Sequence, residues 1–179
     1  MKKALLIFLI VIGLTSLLPV LGQRHVKNIA AWGIHYGQTE KGEFYEGSYT
    51  HYLTDKISVR VSGLREFGDV DGEGEYSAFS SRVFLAPQLF RIGEIVYFHV
   101  LLGGMGSYER TRENLTDGEM NSLRRERFTY GPQAGLEADL FLGNRISLVA
   151  SATKGKMFNR SHLDGWPGQA GIGIRYHFR

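Results

Sequence analysis

The chain has 179 residues, of which 43% are apolar, 12% aromatic and 22% charged, with 23 glycines and only four prolines. This composition is typical of a folded chain and excludes a disordered or collagen-like one. The absence of cysteine excludes disulfides, a cysteine-based zinc site, a thiol nucleophile and lipid attachment to an N-terminal cysteine. Lys2 and Lys3 lie in a segment that we expect to be removed. The rest of the chain has 19 basic and 18 acidic residues, and this nearly neutral net charge gives no case for binding nucleic acid.

Residues 1–22 have the pattern of a cleavable signal peptide. Lys2 and Lys3 precede an almost unbroken apolar segment, and the small residue Gly22 ends it. We expect cleavage after Gly22, which leaves residues 23–179 as a single domain. The alternative is an uncleaved anchor, because about 18 apolar residues can span a bilayer. Both interpretations predict export.

The rest of the chain alternates apolar and polar residues with a period of two, which predicts strands with one apolar and one polar face. The clearest case runs from Phe128 to Leu140, where apolar residues such as Leu136 alternate with Thr129, Gln133 and Glu137. Eight strands of about 8 to 14 residues are predicted, long enough to cross a bilayer at a tilt. They cover residues 28–36, 43–53, 57–67, 76–89, 95–108, 128–140, 146–153 and 169–178.

The connections between these strands alternate strictly between short and long. Short turns lie at residues 54–56, 91–94 and 143–145, and the longer polar segments at 37–42, 68–75, 109–127 and 157–165. This layout predicts an eight-stranded antiparallel up-and-down transmembrane barrel of the outer-membrane type, with its short turns and both termini on the periplasmic side. The alternative fold is a secreted soluble barrel such as a lipocalin, with its apolar face inside.

Three features favour the outer membrane of a Gram-negative bacterium over the soluble alternative. The polar faces are rich in glycine, serine, threonine and glutamine, which suits a narrow filled interior. The final residues alternate aromatic and apolar side chains up to Phe178, similar to the insertion signal of outer-membrane barrels. Aromatic residues gather near strand ends, where we expect them to contact the two membrane interfaces. Those near the long loops are Tyr36, Phe44, Phe67, Tyr76, Tyr108, Phe128 and Trp166, and those near the turns are Tyr52, Phe141, Tyr176 and Phe178.

Four segments of the sequence carry a further signal. They are the leader ending before Gln23-Arg24, the Gly103-Gly104 pair followed by Gly106-Ser107-Tyr108-Glu109, the block from Arg127 to Gly131, and the glycine-rich final strand. Together they resemble the TraO proteins of conjugative transposons. The resemblance implies a component of the machinery that moves a transposon from donor to recipient in a Gram-negative host. It implies other transfer proteins as partners and brings no catalytic or binding residues with it.

The search for chemistry is mostly negative: we predict no catalytic, cofactor-binding or metal-binding residues and no enzymatic activity. The six histidines lack a close metal-ligand spacing. Glu137 and Asp139 share a polar face, and we expect Arg60, Arg82 or Arg175 to pair with them inside the barrel. The alternative is a lipid A-modifying enzyme, since Ser161-His162, with Asp164 nearby, lies in a long loop.

The long segment 109–127 carries five charges of each sign and no aromatic residue. A DNA-guiding surface is expected to be basic and to carry aromatic rings for stacking, so direct nucleic-acid binding is not predicted. We interpret this segment as a solvated loop, and the alternative is contact with another protein or with lipopolysaccharide phosphates. The expected partners of the whole protein are outer-membrane lipid, lipopolysaccharide and other transfer proteins. The remaining functional alternative is a small outer-membrane barrel with a general role in adhesion or envelope stability.

Overall fold

The computed structural model describes residues 28–69, 74–113, 124–159 and 166–178, and the predicted leader lies outside this part. These residues form the eight predicted strands, each within a few residues of its expected bounds. The strands are β1 (Ala30–Thr39), β2 (Gly42–Thr54), β3 (Ile57–Asp69), β4 (Gly74–Ile92), β5 (Val96–Glu113), β6 (Arg124–Phe141), β7 (Ile146–Gly155) and β8 (Gly168–Phe178). No helix in the described ranges is long and apolar enough to cross a membrane.

The eight strands form one closed antiparallel barrel. Each strand pairs with its neighbour in sequence, and β1 closes the sheet by pairing with β8. In this pairing Ala30 lies opposite Phe178, so the two ends of the barrel sequence lie together. Closure leaves no edge strand, which is the condition for placing a sheet in hydrocarbon. The predicted topology is confirmed.

Short turns connect the strands at the end of the barrel where the sequence begins and ends. Between β2 and β3, the backbone amides of Lys56 and Ile57 donate hydrogen bonds to Thr54 Oγ1 at 3.2 and 3.0 Å. Between β4 and β5, Gly93 adopts a φ of 61°, which glycine tolerates without the steric penalty of a side chain. These local interactions explain why two-to-four-residue connections suffice here.

The two faces of the sheet have opposite chemistry. Apolar side chains point outward, among them Trp32, Ile34, Leu136 and Ile172, each at least 60% exposed. The interior is lined by polar and charged residues that are at most 7% exposed. Members of this interior set include His35, Glu46, Arg60, Glu66, Arg82, His99, Glu109, Gln133, Glu137, Asp139 and Arg175. This is the outer-membrane type of barrel and the reverse of a lipocalin, whose apolar face lies inside.

Four aromatic residues lie inside the barrel, contrary to their predicted place at the membrane interfaces. Phe44, Tyr52, Tyr76 and Phe141 are all buried. For Phe44 and Tyr52 the reason is the alternation along β2. Both residues lie on the same face of the strand as Glu46, which points inward. Proximity to a strand end therefore predicts the height of a ring in the barrel, while its position in the alternation decides its face.

The strands around the longest connection extend further than predicted. β5 continues to Glu113 and β6 begins at Arg124, so much of the segment predicted as loop 109–127 is strand. The register places Glu109 opposite Arg127 and Arg110 opposite Glu126. Opposite charges at directly facing positions stabilise a hairpin, and this offsets the low strand preference of charged residues. Residues 114–123 lie outside the described part.

Candidate functional site

Glu137 and Asp139 on β6 point into the barrel, where two of the predicted arginines bind them. Arg60 on β3 places Nη1 2.7 Å from Glu137 Oε2. Arg175 on β8 reaches both carboxylates, with Nη2 3.0 Å from Glu137 Oε1 and Nη1 2.9 Å from Asp139 Oδ2. All four side chains are almost fully excluded from solvent. The predicted structural ion pairs are therefore confirmed for Arg60 and Arg175.

The third predicted arginine, Arg82 on β4, binds a carboxylate that the sequence analysis did not single out. Its Nη2 lies 2.5 Å from Glu46 Oε2 on β2, and its Nη1 donates to the side-chain oxygen of Gln169 on β8. The Nδ1 atom of His35 lies 3.8 Å from the same Glu46 oxygen. Glu46 alternates in phase with Ser48 and Thr50 along β2, and this pattern was the available signal for its inward orientation.

Phe84 on β4 connects the two groups of charges. The guanidinium carbons of Arg60 and Arg82 each lie 5.7 Å from its ring centroid, within the range of a cation–π interaction. The combined network contains three arginines and three carboxylates and links strands on different sides of the barrel. We call this set of six residues the central charge network. Its residues are Glu46, Arg60, Arg82, Glu137, Asp139 and Arg175.

Glycines make room for the side chains of this crowded interior. A β-carbon at Gly173 would lie 2.2 Å from a ring carbon of His35, which is far closer than van der Waals contact. The glycines of the final strand therefore supply the space that the neighbouring inward side chains occupy. Chemically, the carboxylates of the network serve as counter-ions to arginine, an arrangement suited to structural support rather than proton transfer.

Aromatic rings fill the interior between the central charge network and the short turns. The Phe141 ring lies 5.4 Å from the Tyr97 ring and 4.8 Å from the His177 ring, measured between centroids. Tyr52 packs 5.9 Å from the same histidine, and Ser147 Oγ lies 3.0 Å from His177 Nε2. These contacts fill the interior of the barrel on the side of the short turns.

Threonines hydrogen-bond two buried glutamates toward the opposite end. Thr39 Oγ1 donates to Glu66 Oε1 at 2.5 Å, and Thr129 Oγ1 donates to Glu109 Oε1 at 2.9 Å. Glu109 was predicted as part of a solvated loop, yet it is buried inside the barrel. Its inward orientation was not predicted because the predicted strand ended at Tyr108, one residue before Glu109, whereas β5 continues to Glu113.

Within the described ranges, no group of three or more histidine or acidic side chains is placed to hold a metal ion. Ser161, His162 and Asp164, the residues of the lipid A-modifying alternative, lie outside the described residues.

Comparison with protein families supports the resemblance seen in the sequence. Residues 93–178 match the family described as conjugative transposon protein TraO. The matched region begins in the turn before β5 and ends with the last residue of β8. It includes the segment around Gly103-Gly104, the block from Arg127 to Gly131 and the glycine-rich final strand. No curated protein matches the chain.

Three solved structures with the same fold are barrels of bacterial surface proteins. OprG of Pseudomonas aeruginosa superimposes with a TM-score of 0.65 at 14% identity, covering 88% of this chain and 99% of that one. The N-terminal barrel domain of OprF from the same organism has a TM-score of 0.59 at 14% identity and covers 85% and 98% of the two chains. Ail, the attachment invasion locus protein of Yersinia pestis, has a TM-score of 0.56 at 19% identity and covers 86% and 100%. At these identities the likeness establishes the fold alone.

Proposed function

We propose that the protein is a non-enzymatic outer-membrane component of the apparatus that transfers a conjugative transposon between cells. The match of residues 93–178 to the TraO family is the observation that carries this proposal. Its partners are the surrounding outer-membrane lipid, lipopolysaccharide and other transfer proteins. The Ser161-His162 pair has no part in this role.

The chemistry of the two barrel faces supports the outer-membrane location. An outward surface of tryptophan, isoleucine and leucine is costly in water and favourable in hydrocarbon. Because the number of strands is even, the start of β1 and the end of β8 both lie on the side of the short turns. This side is periplasmic in barrels of this type. The longer connections then face the cell exterior, where a mating apparatus meets the recipient.

The filled interior supports a structural role rather than a channel for DNA. The interior of an eight-stranded barrel is just wide enough for side chains. Here arginine–carboxylate pairs and an aromatic cluster occupy it. The transferred strand therefore passes through another component, and the barrel contributes as an assembly or contact partner in the envelope.

Deletion of the gene from a donor tests the proposal. We expect transposon transfer to fall sharply while excision stays normal, because an exported protein takes no part in cytoplasmic DNA processing. Deletion from a recipient alone is expected to leave transfer unchanged, since the donor builds the apparatus. Normal transfer from the deletion donor would refute the conjugation role. A pull-down from donor membranes in mild detergent identifies the transfer proteins that the barrel contacts.

Complementation of the deletion donor separates the structural role from the enzymatic alternative. Ser161→Ala and His162→Ala proteins are expected to restore transfer when they insert correctly. Loss of transfer with a correctly inserted His162→Ala protein, together with loss of lipid A modification, would instead favour the enzyme.

A further inference from the structure

A cleft of about 270 Å³ lies on the outward face of the barrel, on the half of β3, β4 and β5 nearest the long connections. Its wall combines two arginines, two aromatic rings and a hydroxyl group. The lining residues are Arg65, Ser77, Ala78, Phe79, Tyr108 and Arg110. None of these residues belongs to the central charge network, and the proposed role in transfer does not use them.

The strand register places the two arginines diagonally across the cleft. Arg65 lies opposite Phe79, and Phe79 lies opposite Tyr108. One position further toward the long connections on this face, Ser77 lies opposite Arg110. The two guanidinium groups therefore line the same cleft from opposite sides of β4, Arg110 lying one cross-strand pair nearer the long connections than Arg65. Phe79 on β4 lies between the two strands that carry them.

Aromatic rings hold both guanidinium groups in place. The Arg65 guanidinium carbon lies 4.8 Å from the Phe67 ring centroid, and that of Arg110 lies 5.3 Å from the Tyr108 ring centroid. Stacking on a ring restricts a long side chain and leaves the guanidinium edge available for hydrogen bonds. Less rotamer entropy is then lost when a ligand binds.

Among the side chains that the structure describes, the two arginines of the cleft form one ion pair with a carboxylate. Arg65 forms no ion pair with any carboxylate among the side chains that the structure describes. Arg110 has one carboxylate neighbour, Glu126, whose Oε1 lies 3.5 Å from its Nε, and the Tyr108 hydroxyl donates to the other oxygen of Glu126. This ion pair engages the Nε edge of the guanidinium and is half exposed, so its contribution is small.

The height of the cleft on the barrel identifies the kind of ligand. Toward the short turns the outward surface is apolar, with Val61, Val83 and Leu102 each about half exposed. Arg65 and the rings of Phe79 and Tyr108 lie where this apolar surface gives way to charged residues, as the aromatic girdle of an outer-membrane barrel does. An amphiphile seated here would place acyl chains along the valines and leucine and its headgroup between the arginines.

We propose that Arg65 and Arg110 bind the phosphate of a phosphorylated glycolipid in the outer leaflet. This inference rests on the proposed outer-membrane location. Guanidinium groups form paired hydrogen bonds with phosphate oxygens, and two of them, from the strands on either side of β4, recognise a phosphate better than a single surface lysine does. Ser77 adds a hydroxyl at the same level of the cleft.

Binding of synthetic lipid A to the purified barrel in lipid nanodiscs tests the site. Arg65→Ala and Arg110→Ala are each expected to weaken binding about tenfold or more, because each removes charge-assisted hydrogen bonds to phosphate. Arg65→Lys keeps the charge but not the paired geometry, and we expect intermediate affinity. The matched control is Lys154→Ala. Lys154 is an outward cation outside the cleft, at the end of β7 nearest the long connections. The affinity of this variant for lipid A is expected to change less than about twofold.

The form of the lipid provides an independent comparison. Dephosphorylated lipid A is expected to bind the wild-type barrel as weakly as the phosphorylated lipid binds the Arg65→Ala/Arg110→Ala protein. The assignment would be overturned if the wild-type barrel bound both lipids equally, or if the folded double variant bound phosphorylated lipid A as tightly as the wild type does. It would also be overturned if inorganic phosphate bound as tightly as lipid A. Circular dichroism and heat-modifiable migration establish folding of each variant.

Failure of this inference is distinguishable from failure of the proposed function. If the barrel is found in the outer-membrane fraction and is required for transfer but does not distinguish the two lipids, only the lipid site is wrong. Absence from the outer-membrane fraction would remove the basis of both proposals.

Discussion

Arg175 shows how single residues stabilise this interior. Its two terminal nitrogens bind Glu137 and Asp139 at about the same distance, so one guanidinium serves as counter-ion to two buried carboxylates. Removing ions from water costs several kcal/mol per ion, and that cost is offset only when the partner geometry is favourable. The planar fork of arginine meets this requirement better than the point charge of lysine.

Replacing Arg175 with methionine is expected to destabilise the barrel by about 3–5 kcal/mol. The substitution keeps much of the side-chain volume but leaves Asp139 without the arginine that binds it. Urea unfolding of protein refolded in lipid vesicles measures the free energy, with tryptophan fluorescence as the signal. Arg145→Met, in the exposed turn between β6 and β7, is the control and is expected to change stability by less than about 0.5 kcal/mol. Equal losses in the two variants would contradict the structural role of the network.

At the scale of strands, alternation assigns each side chain to one face, and the strand pairs decide where a strand ends. β6 illustrates both effects. Its central part follows the predicted alternation, with Leu136 outside and Gln133 inside. Its first residues continue the strand beyond the predicted start because they pair with β5. Opposite charges face each other across the two strands at Arg127 and at Glu126, whereas Arg124 lies opposite Arg112.

The face assignment of β6 predicts a sharp difference between Leu136 and Gln133. If Leu136 contacts lipid near the midplane, Leu136→Arg is expected to cost about 2–4 kcal/mol and to reduce insertion strongly. Gln133 is inside, where its amide donates to the Met105 sulfur at 3.4 Å, and Gln133→Ala is expected to cost about 1 kcal/mol. Membrane fractionation and urea unfolding measure both variants. Comparable tolerance at the two positions, with soluble protein in the periplasm, would support a water-soluble barrel.

At the scale of the whole molecule, the pairing of β1 with β8 closes the sheet into a barrel. Closure satisfies the backbone hydrogen bonds that lipid cannot satisfy, and it brings residues from distant parts of the sequence into one interior. The contact between Arg82 and Gln169 spans 87 positions in the chain. Because consecutive strands run antiparallel, all short turns lie at one end of the barrel.

Cysteine labelling in this naturally cysteine-free chain tests that orientation. A single cysteine replacing Glu126, exposed near the outer end of β6, is expected to react with a membrane-impermeant maleimide on intact cells. A cysteine replacing Asn144, in the turn between β6 and β7, is expected to react only after permeabilisation of the outer membrane. Labelling of the Asn144→Cys protein on intact cells would invert or refute the topology.

The sequence by itself determined the number of strands and the alternation of short and long connections, because a period of two and polar turn residues are local properties. The period of two fits a barrel with its apolar face either outside or inside, and the closed structure has that face outside. It also identified Glu137 and Asp139 as carboxylates that need arginine partners. The tertiary structure decided which arginine binds which carboxylate, as with Arg82 and Glu46, because these partners lie on different strands and meet only across the closed barrel. It also extended β5 and β6, since the gain from facing opposite charges depends on a register that single-strand propensity does not contain.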